Sequence, residues 1–200
     1  MYDEINQNLY VHHDIMLSVY PLCIEWLPID IKANNTKANY AIVGSFLPEI
    51  EIWNLDMIDA IEPELTLGGS GDSGSIVKNL KKKKKQESDL VHTDAVVSLN
   101  SNPFNKSILA SGSADKKVIL WDIATGNNIR TIKDHKDKIQ VVRWNRCEDN
   151  VLLTGSFDKT IRLFDMRTNS EGMTIKVKSD IESADWSPLN SYQFLSLSIH

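Results

Sequence analysis

The 200-residue sequence predicts an all-β fold made of repeated four-stranded antiparallel sheets. The first observation behind this prediction is an internal repeat, because a shift of 43 residues superposes two neighbouring segments of the chain. The second is that each repeat contains short apolar runs separated by turn residues, without the 3.6-residue period of a helix. The third is that runs such as residues 118–121 are almost continuously apolar, which indicates strands covered on both faces.

The repeat is defined by residues that coincide at the 43-residue offset. They include His92 with His135, Gly112 with Gly155, Asp115 with Asp158, Leu120 with Leu163, and Asp122 with Asp165. Inside the first copy, four strands are expected at residues 95–99, 107–110, 118–121 and 129–132. Four-stranded sheets that are covered on both faces and recur every 40 to 45 residues are typical of the blades of a β-propeller.

The remaining chain divides around these two blades. We expect a lead-in at 1–18, a divergent blade at 19–67, a Gly/Ser/Lys-rich disordered insertion at 68–91, blades at 92–134 and 135–176, and a partial blade at 177–200. The strands of the divergent blade are expected at 20–27, 40–46, 50–55 and 64–67. About three complete blades plus the start of a fourth are too few to close a ring of four to eight, so a fragment of a longer product is expected.

Composition excludes several classes of protein. Mean hydropathy is -0.27, and no apolar stretch approaches the ~20 residues that a membrane-spanning helix needs. The start of the sequence lacks a secretory signal, so Cys23 and Cys147 are interpreted as reduced intracellular thiols, the first in the core and the second at the surface. The formal net charge of -5 argues against a protein that coats nucleic acid over its whole surface.

One set of residues identifies a family. His92, the segment Ser111-Gly112-Ser113-Ala114-Asp115 and the segment Leu120-Trp121-Asp122 resemble the WD40 repeat. In that family a histidine, a strand Ser or Thr, a turn Asp and a Trp form a hydrogen-bonded group. The resemblance implies this group for His92, Ser111, Asp115 and Trp121.

The second copy departs from the pattern at one position. His135, Thr154 and Asp158 match the family's group, but Phe164 replaces the tryptophan and has no indole N–H. One hydrogen bond should therefore be missing, and this blade is expected to be less rigid. In the first copy, Ser101 stands where a tryptophan is expected, which predicts weaker packing of that blade.

Further segments resemble, in the same order, a family of eukaryotic WD-repeat proteins of ribosome production. They are residues 10–17, 20–27, 50–56, 65–68 and 92–96. The resemblance implies a non-catalytic scaffold in the nucleus and nucleolus that takes part in rRNA processing for the large subunit. Its implied partners are pre-ribosomal proteins, with pre-rRNA as a candidate, and neither a membrane nor a small-molecule substrate.

Two groups of lysines are candidate contacts. The run Lys81, Lys82, Lys83, Lys84 and Lys85 is interpreted as an RNA contact or import signal, or alternatively as a loop that only keeps the chain soluble. Alternating strand direction should place a second group on the same propeller face: Lys116, Lys117, Lys133, Lys136, Lys138 and Lys159. That face is expected to be positive, unless these are merely charges scattered at turns.

The sequence gives weaker support for the remaining candidate sites. His12-His13-Asp14 offers possible metal ligands but lacks a partner pair with zinc spacing, so no metal site is expected. No pair of titratable residues outside the repeat forms a recognisable catalytic constellation, so no catalytic residue and no cofactor are expected. The five tryptophans are expected to be buried between blades: Trp26, Trp53, Trp121, Trp144 and Trp186. As an alternative function, Arg167 resembles the anchor by which some WD40 substrate receptors dock on cullin-RING ubiquitin ligases, although Phe164 counts against it.

Overall fold

The computed structural model describes residues 14–29, 31, 37–69, 90–168 and 172–199, together with the backbone of residues 2–3 and 8–9. In this part of the chain every regular element is a β-strand. The sixteen strands are β1 (Tyr2–Asp3), β2 (Asn8–Leu9), β3 (Pro21–Leu27), β4 (Tyr40–Ser45), β5 (Ile50–Asn54), β6 (Leu65–Leu67), β7 (Val96–Ser101), β8 (Ile108–Ser113), β9 (Val118–Asp122), β10 (Asn127–Ile132), β11 (Ile139–Trp144), β12 (Val151–Ser156), β13 (Thr160–Asp165), β14 (Met173–Lys176), β15 (Asp180–Trp186) and β16 (Phe194–Ile199). Among the described residues no helix has the length and apolar character to span a membrane.

The strands form three four-stranded antiparallel sheets, in which each strand pairs with the next along the chain. These sheets are β3–β6, β7–β10 and β11–β14, which we call blades 1, 2 and 3. The pair β15–β16 begins blade 4, and β1–β2 form a separate hairpin. This arrangement confirms the all-β prediction of three complete propeller blades and the start of a fourth.

The first strands of successive blades lie side by side. Val142 of β11 donates its N–H to Ser98 Oγ of β7 at 3.1 Å, and Trp144 donates its N–H to Asn100 Oδ1 at 2.7 Å. The last strand of each blade therefore lies farthest from these contacts.

The apolar core lies between blades rather than inside any one of them. Between blades 2 and 3, the buried side chains are Ala110, Val118, Leu120, Ile132, Ile139, Val142, Trp144, Leu152 and Phe164. Equivalent clusters join blade 1 to blade 2 and blade 3 to blade 4. Because each inner sheet is covered by a neighbour on both sides, its strands need apolar residues at successive positions. This explains the continuous apolar runs of the sequence.

A glycine in the second strand of each complete blade allows the neighbouring blade to approach closely. A Cβ added to Gly112 would lie 2.8 Å from Ile139 Cγ2, and one added to Gly155 would lie 2.6 Å from Ile181 Cγ2. Both distances are far below van der Waals contact. The 43-residue coincidence of these glycines thus reflects the spacing between blades.

Four of the five tryptophans are buried, but the prediction for Trp26 is wrong, since its side chain is 59% exposed. The tryptophan at the end of a first strand packs toward the preceding blade, as Trp186 shows by donating its Nε1–H to Arg143 O at 3.1 Å. No blade precedes β3 in the described part of the chain, so Trp26 has no such neighbour.

Ser101 occupies the tryptophan position of blade 2 and makes a polar contact there. Its hydroxyl donates to Glu25 Oε1 at 2.6 Å and its N–H donates to the same oxygen at 2.9 Å. Hydrogen bonds to a carboxylate are shorter and stronger than neutral ones. A charge-assisted pair therefore joins blades 1 and 2 where an indole joins blades 3 and 4.

The substitution Gly155→Ala should destabilise the protein by about 1–3 kcal/mol, because the new methyl group meets Ile181 and Val141. Urea unfolding of the chain measures this change. In an Ile181→Ala background, which removes one of the two clashing groups, the same substitution should cost clearly less. An equal cost in both backgrounds would contradict close packing between these blades.

Candidate functional site

The predicted hydrogen-bonded group of blade 2 surrounds the buried ring of His92, which is 2% exposed. His92 Nδ1 lies 3.1 Å from Asp115 Oδ2, and its Nε2 lies 2.7 Å from Ser111 Oγ. Trp121 donates its Nε1–H to the same Ser111 Oγ at 2.8 Å. An imidazole that donates from Nδ1 to Asp115 and contacts Ser111 through Nε2 makes both of these contacts.

Asp115 ties the turn between β8 and β9 to the segment that enters blade 2. Its carboxylate accepts the N–H groups of Thr93 and Lys117, both at 3.0 Å. Burial raises the pKa of Asp115, but the hydrogen bond and charge of His92, with the two backbone bonds, outweigh this effect and lower the pKa to about 2. The carboxylate is therefore ionised under all physiological conditions.

Blade 3 repeats this arrangement without an indole. His135 Nδ1 lies 3.0 Å from Asp158 Oδ2, and His135 Nε2 lies 2.8 Å from Thr154 Oγ1. Phe164 is 2% exposed and offers no donor. The hydroxyl of Thr160 donates to Asp158 Oδ1 at 2.6 Å, a bond that the equivalent residue of blade 2, Lys117, replaces with an ion pair at 3.5 Å.

Burial and hydrogen bonding together set the pKa values of His135 and Asp158. Burial lowers the pKa of His135, and the hydrogen bond and charge of Asp158 only partly oppose it. Burial raises the pKa of Asp158, but hydrogen bonds from Thr160, from the Lys136 N–H and from His135 lower it overall. A neutral imidazole beside an ionised carboxylate is a satisfied structural pair. Neither ring has an open side toward solvent from which to exchange a proton with a substrate.

The second group of predicted lysines lies on the loops that carry these two histidine groups. Lys116, Lys117 and Lys159 belong to the turns between the second and third strands, and Lys133, Lys136 and Lys138 to the segment between β10 and β11. The two kinds of loop meet at one edge of the sheets, because Phe157 donates its N–H to Lys138 O at 3.0 Å. Asp94, Asp134 and Asp137 share this edge, so it carries charges of both signs.

Two of these lysines have an uncommon backbone conformation. Lys116 and Lys159 lie at φ of 70° and 63°, in the left-handed region that favours glycine. Both are exposed and occupy the same position of equivalent turns. The lysine run Lys81, Lys82, Lys83, Lys84 and Lys85 lies outside the described residues, as do His12 and His13.

The other candidate residues lie apart from this edge. Arg167 is exposed and forms a two-pronged ion pair with Asp165, with Nη2 to Oδ2 at 2.7 Å and Nε to Oδ1 at 3.0 Å. Burial raises the pKa of the Cys23 thiol to about 12, whereas Cys147 is exposed. Within the described ranges no group of three or more His, Cys, Asp or Glu side chains could hold a metal ion.

A groove of about 690 Å³ runs along the first strands of the blades. Its walls carry Glu25, Arg143 and Glu182, beside the polar side chains of Ser98 and Asn100. The charges are mixed and are partly used in contacts between blades, as with Glu25 and Ser101.

Two buried asparagines that the sequence analysis did not single out also join the blades. Asn102 donates its Nδ2–H to Asp149 O at 2.7 Å, and Asn145 donates its Nδ2–H to Ser191 O at 2.8 Å. Each also caps its own loop, since its Oδ1 accepts two backbone N–H groups of the residues that follow. The 43-residue offset between them was a signal that could have found them.

Comparison with known proteins gives two matches to a family model and several relatives. Residues 84–122 and 126–165 match the model described as "WD domain, G-beta repeat". The chain is 46% identical over 129 residues (62% of the chain) to Periodic tryptophan protein 1 of Saccharomyces cerevisiae, covering 22% of that protein.

Two further relatives agree with this match. An uncharacterised WD repeat-containing protein of Schizosaccharomyces pombe is 46% identical over 132 residues (66% of the chain, 25% of the relative). The Periodic tryptophan protein 1 homolog of Drosophila melanogaster is 40% identical over 133 residues (66% of the chain, 26% of the relative). The chain thus spans about a quarter of the length of the curated relatives that it matches.

Stability should fall in two stages on acidification. Because the pKa of His135 is lowered in the folded state, the unfolded chain takes up the proton first. The contribution of His135 to the free energy of unfolding is therefore complete above the ordinary pKa of 6.5 and is lost as the pH falls from 6.5 to the folded-state pKa. The lowered pKa of Asp115 adds a second loss, roughly 2 kcal/mol, between pH 3.8 and about 2. Thermal unfolding measured across this range should lack the first stage in a His135→Asn variant; an unchanged profile between pH 7 and 5 would contradict the assignment.

Proposed function

Because residues 84–122 and 126–165 are WD40 repeats and the chain is similar to Periodic tryptophan protein 1, we propose that it is a non-catalytic scaffold of ribosome biogenesis. In this proposal the protein acts in the nucleolus, on rRNA processing for the large subunit. It binds pre-ribosomal proteins through the loops at the edges of its blades.

The observation that carries the scaffold role is the use of both histidines in closed hydrogen-bonded groups. His92 and His135 contact Asp115 and Asp158 on one side and a strand hydroxyl on the other. These groups fix the loops at one edge of each sheet, while the buried clusters between blades fix the sheets relative to one another. Rigid loops on a packed frame support binding of partners without chemistry.

The run of lysines supports a contact with RNA. Five adjacent cations that follow a Gly-Ser-Gly sequence neutralise phosphates without needing a fixed geometry. In the proposal Lys81 to Lys85 contact pre-rRNA and also serve as a nuclear import signal. Because the chain as a whole carries a net charge of -5, this attraction is local rather than spread over the surface.

A second candidate function is that of a substrate receptor of a cullin-RING ubiquitin ligase. It is favoured by the exposed guanidinium of Arg167, which Asp165 holds in place by two hydrogen bonds. Because this guanidinium is exposed and held in one orientation, a partner protein could contact it directly. Phe164 in place of tryptophan argues against it, so this function ranks second.

Gradient sedimentation of nuclear extracts tests the two functions against each other. The protein should migrate with precursors of the large subunit if it is a ribosome-biogenesis scaffold. Recovery of the ligase adaptor, with its loss in an Arg167→Ala variant, would support the receptor instead. Migration only with free proteins, with no precursor fraction, would contradict the scaffold.

The RNA contact predicts a change in salt dependence. Replacing Lys81 to Lys85 by serine should weaken RNA binding and reduce the slope of log K against log salt by up to about 3.5, at about 0.7 for each phosphate on single strands. Replacement by five arginines keeps the charge and serves as the matched control, which should retain the slope. Filter binding between 50 and 200 mM salt measures it, and an unchanged slope in the serine variant would remove the contact.

A further inference from the structure

Blades 2 and 3 differ at three neighbouring positions of one loop edge. At the 43-residue offset, Thr93 corresponds to Lys136, Ala95 to Lys138, and Ala114 to Phe157. Blade 3 therefore has two cations and an aromatic ring where blade 2 has small side chains.

The backbone frame around these positions is the same in both blades. The Ala114 N–H donates to Ala95 O at 3.0 Å, and the Phe157 N–H donates to Lys138 O at the same distance. The Thr93 N–H donates to Asp115 Oδ2 at 3.0 Å, and the Lys136 N–H donates to Asp158 Oδ2 at 2.9 Å. Because blade 2 keeps this frame without any of the three side chains, the frame does not require them.

The three side chains and Lys159 form one patch, which we call the blade 3 patch. Lys136, Lys138 and Lys159 are exposed, and Phe157 is half-buried with Lys138 Nζ 5.1 Å from its ring centre. This geometry is that of a cation–π contact. Lys159 lies in the adjoining turn between β12 and β13, at a left-handed φ of 63°.

The carboxylates beside the patch are engaged by the loops themselves. Asp158 accepts from His135, the Lys136 N–H and Thr160, and its side chain is 6% exposed. Asp137 Oδ1 accepts the Lys138 N–H at 2.8 Å. Asp134, on the same segment, lies 3.9 Å from Arg162 Nη1. Three exposed lysines and a half-buried aromatic ring thus share adjoining loops whose carboxylates all have partners within the protein.

Cations interleaved with an aromatic ring match the chemistry of a single nucleic acid strand. Its phosphates attract ammonium groups, and its unpaired bases stack on aromatic rings. An acidic peptide would use the lysines but would leave the ring without a role. We propose that the blade 3 patch binds single-stranded RNA, with phosphates on Lys136, Lys138 and Lys159 and a base on Phe157. This inference goes beyond the proposed function, since it does not depend on Lys81 to Lys85 or on ribosomes.

The structure supplies a variant that tests this inference without disturbing the fold. The triple substitution Lys136→Thr, Lys138→Ala and Phe157→Ala places the residues of blade 2 on the frame of blade 3. Fluorescence anisotropy with a labelled uridine 12-mer, in a background with Lys81 to Lys85 replaced by serine, isolates the patch. The triple variant should bind at least tenfold more weakly and keep the parent's melting temperature within a few degrees.

Two further measurements separate the ring from the charges. Phe157→Ala alone should weaken binding of the uridine 12-mer about tenfold, leave the salt slope unchanged, and have little effect on an abasic 12-mer. Lys136→Thr with Lys138→Ala should reduce the slope for both strands. As a matched control, Lys106→Ala with Arg146→Ala also removes two cations, but from the loops that follow β7 and β11 at the other edge of the sheets, and should change affinity little.

Three outcomes would overturn the proposal. One is a triple variant that binds like its parent, and another is a Phe157→Ala variant that loses the uridine and abasic strands equally. The third is polyglutamate binding as tightly as the 12-mer and displacing it, which would assign the patch to acidic peptides. Failure of sedimentation with precursors would contradict the proposed function while leaving these RNA affinities unaffected.

Discussion

The packing of one blade against the next is the interaction on which the rest of the structure depends. The largest buried clusters join neighbouring blades, and Gly112 and Gly155 allow the approach that these clusters need. A single four-stranded sheet would expose most of its apolar side chains, so its stability is inseparable from that of its neighbours. This packing also fixes the positions of the loops at the blade edges, because the sheets that carry the loops cannot move independently.

The histidine groups solve a second problem that the packing creates. Loops that run close to buried strands contain backbone N–H groups that water cannot fully reach, and each needs an acceptor. Asp115 and Asp158 supply several acceptor sites each, and the neighbouring imidazoles link these carboxylates to a hydroxyl in the second strand. Acid sensitivity is the consequence, since the same carboxylates must remain ionised and the imidazole of His135 neutral.

The repeat made most of this fold predictable. Strand order and the blade divisions that contain β7–β14 follow from one offset, because equivalent residues occupy equivalent places in each blade. The partners of His92 were implied instead by the resemblance to the WD40 repeat. Features that break the repeat were harder to predict from the sequence. The exposure of Trp26 depends on what lies before β3, and the contact between Glu25 and Ser101 joins residues 76 apart whose types no pattern relates. The blade 3 patch was visible only partly, because the lysines were noted from their loops whereas Phe157 gains its meaning from the position of Lys138 in space.

The contacts that the buried asparagines make between blades all run from one blade to the blade that follows it in the chain. Asn102 and Asn145 each extend a donor toward the backbone of the blade that comes later in the chain, and Ser98 and Asn100 offer acceptors in the same sense. At these four contacts the earlier blade supplies the side chain and the later blade supplies a main-chain group, whereas Trp186 donates in the opposite sense, from a side chain of blade 4 to Arg143 O of blade 3. Synthesis runs from the amino terminus, so the anchoring side chains of each blade are made before the main chain that they contact. A later blade therefore needs no particular side chains at these four points.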